Sequence, residues 1–348
     1  MYEHSIHRRR FAVATALVVA GVAAPALQAQ SKLEKPKISL TIDGEAALCH
    51  LPLTVADQLG YFKAEGLDLD ISDLVGGARS PMATPGEPAD VYAGAFDYTI
   101  SLQSRTQFYQ AFVLLGRAPQ IAFGVSTRHM PDYHSLADLR GKRIGVTAMG
   151  APAQMVVNVV LARAGINPGE VRFIPVGSAG AAVQALRSGQ IDAISNSDPV
   201  ISMLEQKGEI KIVSDTRSLK GALAVFGSAM PAACLYAPLD FVRKNPNTVQ
   251  ALTNAVVHGL KWLQTAGPSD IIKIVPESYF LGDRAVYLAS FNRAREAISL
   301  DGLVPDEGPQ TALKALGSFD PLVKAARIDL AKTFTNEFAR RAKERFRA

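Results

Sequence analysis

Two cysteines, Cys49 and Cys234, are all that 348 residues contain. They stand too far apart in sequence to establish a disulfide, and without clustered histidines they supply no tetrahedral zinc set. Phosphate-binding signatures are missing too: no GK[ST] loop occurs, and residues 177–180 are too short for a dinucleotide fingerprint. No conventional hydrolase, kinase or dehydrogenase motif is present, and no cofactor is implied. Charge of one sign is scarce once the ends are set aside. The formal net charge is +5, of which two units come from Arg8, Arg9, Arg10 and Glu3, and three from residues 337–348. The body between them is near neutral and lacks the basic balance that a nucleic-acid partner requires. The basic tail reads as the solvated face of a C-terminal helix.

What is present begins with an export signal. Arg8, Arg9, Arg10 and Phe11 precede an apolar run, residues 12–26, that ends in small side chains. A basic segment, a short apolar segment and a cut after Ala26 or Ala29 describe a signal peptide over residues 1–29. The run is too short for a transmembrane span. The order Arg, Arg, any residue, Phe also suits twin-arginine export, with the general secretory route as the alternative. No cysteine follows the cut to carry a lipid anchor, so the expected location is periplasmic. The mature chain, from a sequence 48% hydrophobic and 20% charged, is long enough for two lobes.

Residues 141–164, GKRIGVTAMGAPAQMVVNVVLARA, organise the rest. They read as a strand over 143–147, a small-residue loop, and a helix apolar on nearly every side over 155–161, as a helix packed on a parallel sheet should be. The loop around Met149, Gly150, Ala151 and Ala153 has no charged or nucleophilic side chain. Its chemistry is that of backbone N–H groups and a helix N-terminus, which suits holding an acceptor-rich ligand.

The same alternation recurs along the chain. Ile38, Leu40 and Ile42 mark a strand, Pro52 starts a helix that Gly60 closes, and Leu67, Leu69 and Ile71 mark a second strand, which implies a right-handed parallel crossover. Residues 94–99 read as a ligand-side loop, 103–107 as a helix and 112–115 as a strand. Strands are expected at 171–175, 191–195 and 210–214, and a helix at 181–188. A returning strand is expected at 231–235, followed by long helices over 245–263 and 283–300. Ser135 reads as an N-cap.

The run Gly60 to Leu69, GYFKAEGLDL, with Pro52 and Ala56, resembles the opening of the nitrate/sulfonate/taurine-type ABC-transporter substrate-binding proteins, which are related to the thiamine pyrimidine-precursor synthases. PVGSAG at 175–180 and AVQALRSGQIDA at 182–193 carry the likeness through the second half. The resemblance implies an α/β, periplasmic-binding-protein-like fold: two α/β lobes joined by a two-strand hinge, with the ligand cleft between them. Residues 37–122 with 231–348 would form lobe one and 123–230 lobe two. It further implies a small organic anion as ligand (sulfonate-, taurine- or aromatic-acid-like), an ABC permease and its ATPase as partners, peripheral contact with that membrane complex only, and a monomer. A secreted ligand-sensing subunit is one alternative. A synthase-like enzyme is another, although the cysteine-rich motif of those synthases is missing.

Ligands collect at the C-terminal ends of such strands, which nominates three groups of residues, the first two on one jaw of the cleft and the third on the other. The first is Ala47, Cys49 and His50. The second is Gly77, Ala78 and Arg79 with Phe96 and Tyr98: Arg79 could clamp an anion bidentately, and the aromatics could stack on an organic ligand. The third is Met149, Gly150, Ala151 and Ala153 with Asn196 and Asp198. Each has a plainer reading: His50 as a loop histidine, Arg79 as a solvated charge, the aromatics as core. Asp97 and Asp198 could meet a cationic or hydroxyl group, but each could instead be a helix cap. No catalytic residue or metal ligand is expected.

Overall fold

The structure, a computed structural model, describes residues 32–42, 44–73 and 89–348. The expected signal peptide and the candidate residues Gly77, Ala78 and Arg79 lie outside the described residues.

Alternating apolar residues set the first strands. In β1, Lys37–Ile42, the side chains of Ile38, Leu40 and Ile42 are buried and their neighbours are not. β1 pairs in parallel with β2, Asp68–Asp73, on one side and with β3, Val91–Ala95, on the other. β4, Tyr109–Leu114, completes the first run of the chain through this sheet. The chain then crosses to a second sheet made of β5, Ile121–Ser126, β6, Arg143–Val146, β7, Arg172–Pro175, β8, Ala193–Ser197, and β9, Ile210–Asp215. It returns as β10, Ala233–Pro238. The strand orders are β2-β1-β3-β10-β4 and β7-β6-β8-β5-β9. These are the two α/β lobes of a periplasmic-binding-protein fold.

Both sheets are mixed, where parallel sheets were expected. β10 runs antiparallel to β3 and β4, and β5 runs antiparallel to β8 and β9. The reason lies in the crossings. β3 and β8 end at the cleft, while β5 and β10 receive the chain from the opposite lobe and so must start there.

Helices cover the sheets where proline and apolar spacing place them. Helix Leu51–Gln58 has Pro52 in its first turn, and Pro152–Arg163 opens on Pro152 and buries Met155, Val156, Val157, Val159 and Leu161. The return helix Pro246–Thr265 packs on helix Leu51–Gln58, with Leu252, Val256 and Leu260 in the core of lobe one. Two expectations shift. The chain from Asp97 to Gln103 is already helical, and residues 104–107 form the turn that ends it. The helix expected over 283–300 stops at Ala294. A 3-10 turn, Arg295–Ala297, follows, and Ile298 bridges to Gly116, so the backbone there covers the outgoing crossing. Among the described residues, no helix is long and apolar enough to cross a membrane.

Candidate functional site

The C-terminal ends of β1, β3, β6, β7 and β8 and the residues just after them supply parts of one cavity of about 80 Å³. After β1 the chain turns through Gly44, whose φ of +81° is a conformation that side chains with a Cβ resist. A Cβ there would stand 3.7 Å from Ser178 Oγ, which places this loop directly opposite the loop after β7. Ala47, Cys49 and His50 then form one wall. His50 is buried, and its Nδ1 donates to Gly44 O at 3.0 Å, which holds the ring against the turn. The end of β3 adds Gly94, Ala95 and Asp97.

The second lobe closes the other side. Thr147 follows β6, Pro152, Ala153 and Met155 come from the first turn of helix Pro152–Arg163, and Ser178 and Ser197 follow β7 and end β8. The crossings complete the wall with Pro119 and Ile121 on the way out and residues 230–233 on the way back. Pro152 has no N–H, and the N–H groups of Gln154 and Met155 donate to Ala151 O, so the start of Pro152–Arg163 presents the Ala153 N–H and a positive dipole end to the cavity.

The electrostatics are unusual for one group. Asp97 is 3% exposed, and burial pushes its carboxyl up to about 6 against the pull of its own backbone N–H. Nearby Cys234, also fully buried, has its thiol pushed well up by burial and then by the Asp97 charge, and it stays protonated. Both cysteines are free thiols. Among the described residues, no lysine or arginine lines the cavity and no cluster of histidine, cysteine and carboxylates could hold a metal.

The structure brings Ala47, Cys49, His50 and Ala153 together in the cavity wall. The other described candidates lie beside it. Phe96 and Tyr98 are core residues, with Phe96 edge-on to Phe334 at 6.3 Å and Tyr98 edge-on to Tyr236 at 6.4 Å. The residue between them, Asp97, faces the cavity instead. Asn196 donates from Nδ2 to Gly177 O at 2.8 Å, and Asp198 accepts from Ser202 N at 2.8 Å and pairs with Arg217. Here too the wall residue is the one between, Ser197, because neighbours along a strand face opposite ways. Met149 is 53% exposed and Gly150 donates its N–H to Gln154, so the loop tip turns outward, while buried Ala151 sits at the N-cap. Sequence reasoning missed Thr147, Met155, Ser178, Ser197 and the crossing segments. The strand-end rule pointed to the serines and Thr147; nothing local marks the crossings.

The family model described as NMT1/THI5 like matches residues 48–268. A solved protein from Bordetella bronchiseptica RB50 is 53% identical, with a TM-score of 0.88 over 91% of this chain and 100% of its own. The periplasmic nitrate-binding protein NrtA from Synechocystis PCC 6803 is 15% identical, with a TM-score of 0.67 over 90% of this chain and 89% of its own. The alkanesulfonate-binding protein SsuA from Xanthomonas axonopodis pv. citri, solved with MOPS, is 16% identical, with a TM-score of 0.65 over 88% and 100%. The relation read from GYFKAEGLDL and PVGSAG is borne out, and so is the fold it implied.

Proposed function

Since the chain belongs to the NMT1/THI5-like family, we propose that it is a receptor rather than an enzyme: the solute-binding component of an ABC importer. In this reading it is exported to the periplasm, captures a small organic anion as a monomer, and delivers it to a membrane permease and its ATPase. The observation that carries the reading is the cavity in which the strand ends of both lobes and both crossings meet. A ligand held there touches both lobes at once, so its contacts are strongest when the lobes are closed, and binding draws the open form toward the closed one.

The anion end of such a ligand meets the helix start at Pro152 and the hydroxyls of Thr147, Ser178 and Ser197. The volume admits roughly five to eight non-hydrogen atoms, at about one water-sized sphere per atom. Short sulfonates and carboxylates are of that size; an aromatic acid requires a wider opening. The distant structural neighbours named for alkanesulfonate and nitrate are in keeping with an anionic ligand. We assign residues 37–122 and 231–348 to lobe one and 123–230 to lobe two. Sheet membership supports this division to within two residues, with β5 of the second sheet starting at Ile121 and β10 of the first at Ala233.

Thermal unfolding of the mature chain against short sulfonates, carboxylates, aromatic acids, nitrate, bicarbonate and pyrimidines tests the reading. A bound ligand at a hundred times its Kd adds about 2.7 kcal/mol, seen as a concentration-dependent rise in Tm. Conversion of any bound compound, detected by mass spectrometry, overturns the receptor assignment. No rise with any of these compounds overturns the ligand class.

A further inference from the structure

Resting on that reading, we infer that the cavity selects small anions that also carry a cationic nitrogen, and that Asp97 is the residue that recognises it. Asp97 opens helix Asp97–Gln103 at the end of β3 and lines the cavity while almost wholly buried. A buried carboxylate is ordinarily paired with a cation or with several donors. Among the described residues, Asp97 has only its own backbone N–H. The groups around it are neutral or apolar: Gly94 and Ala95 on β3, the Cys234 thiol and Ala233 on β10, and Met230 before it. The other titratable side chains of the wall are His50, whose Nδ1 is taken by Gly44 O, and Cys49.

The two sides of the cavity are therefore unlike. Lobe two offers hydroxyls, the Ala153 N–H and the positive end of a helix dipole, and lobe one offers a carboxyl. An amine-bearing anion satisfies both, its acidic end toward Thr147, Ser178 and Ser197 and its ammonium toward Asp97. Such a ligand spans the cleft and ties the lobes together. An anion without the amine faces a buried carboxyl with no compensating charge, and one of the two must be neutralised or leave. An ammonium also holds Asp97 ionised, removing the penalty that burial imposes on it.

Calorimetry on the mature chain with two matched pairs separates the possibilities: taurine against ethanesulfonate, and β-alanine against propionate. The amine-bearing member of a pair should bind at least about tenfold more tightly, the worth of one charge-assisted hydrogen bond. Asp97→Asn should bring the two members within about twofold of each other, a loss of discrimination that a purely structural role for Asp97 would not produce. Equal affinities within each pair in the unaltered protein overturn the inference and leave the receptor reading intact. Unchanged discrimination in folded Asp97→Asn removes Asp97 as the selecting residue. Binding of none of the four probes overturns the inference together with the small-anion reading beneath it. The wild-type comparison decides even if the variant does not fold.

Discussion

Asp97 carries a stability cost whose sign can be worked out. Its carboxyl titrates near 6 in the folded protein, against 3.8 in its ordinary state, because burial disfavours the charge. The folded chain thus holds this proton more tightly than the unfolded chain does. Stability falls as pH rises from about 4 to about 6 and is flat above, by on the order of 3 kcal/mol in total. Asp97→Asn should therefore raise stability at pH 7 by up to that amount and remove the slope, both readable from urea unfolding across pH 4 to 8; an unchanged slope would show the carboxyl to be solvated. At Gly44 the prediction runs the other way. Alanine there meets Ser178 only at ordinary contact distance, but φ +81° costs a Cβ about 1 to 2 kcal/mol, so Gly44→Ala should lower the unfolding midpoint without steric blockage of the cleft. The residue scale is also where sequence reasoning was one position off. Phe96, Asp97 and Tyr98 were all legible as a group, but which of three neighbours turns inward depends on where β3 stops and the helix starts.

Between β8 and β9 an ionic hub fixes a whole element. Arg217 is 1% exposed, and it pairs with Asp198 at 3.4 Å, Glu205 at 3.1 Å and Asp215 at 2.6 Å. Burial alone would lower its pKa, but the hydrogen bonds it donates to Asp215 and the three negative charges hold it above its usual range. Asp215 feels the reverse: burial raises it, and the bonds from Arg217 bring it below the ordinary carboxylate range. The hub thus ties the end of β8 through Asp198, helix Val200–Gln206 through Glu205, and the end of β9 through Asp215. Arg217→Met leaves carboxylates gathered without their cation, one of them wholly buried. It should cost about 3 to 5 kcal/mol in denaturant unfolding. A loss below 1 kcal/mol would mean that the carboxylates take up protons or water instead. Because Asp215 and Glu205 are depressed, their contribution is present at neutral pH and is lost as pH falls below about 4. Asp97 acts with the opposite sign over the next window up, from about pH 4 to about 6.

The lobes meet beyond the cavity as well. Met155 and Val159 of lobe two share a buried cluster with Tyr92, Phe96 and Tyr98 of lobe one. On the periphery, Arg293 of helix Arg284–Ala294 reaches Glu205 across the lobes at 2.5 Å. Arg293 is 45% exposed, so Arg293→Ala should cost less than about 1 kcal/mol of stability. Its larger effect should be on lobe placement: small-angle scattering of the ligand-free variant should show a larger radius of gyration than the unaltered chain. An unchanged radius would mean that the buried cluster alone sets how the lobes sit.

The sequence alone was enough for β1, β2, β4 and β6 to β10, for the helices opened by Pro52 and Pro152, for the family, and for the arms of the site that follow β1 and β6, but not for β3 and β5. Those follow from near-neighbour patterns: alternation in 37–42, Pro52 and Pro152 at helix starts, and apolar residues throughout 155–161. The tertiary structure decided the rest. The antiparallel course of β5 and β10 comes from where the chain crosses. Whether Asp97 or its aromatic neighbours face the ligand depends on a strand end a residue either way. The crossing segments enter the wall only because the strand ends of two sheets, one inserted in sequence within the other, are brought to face each other. Periodicity fixes which face of one element is buried, but it holds no information about which other element that face will meet.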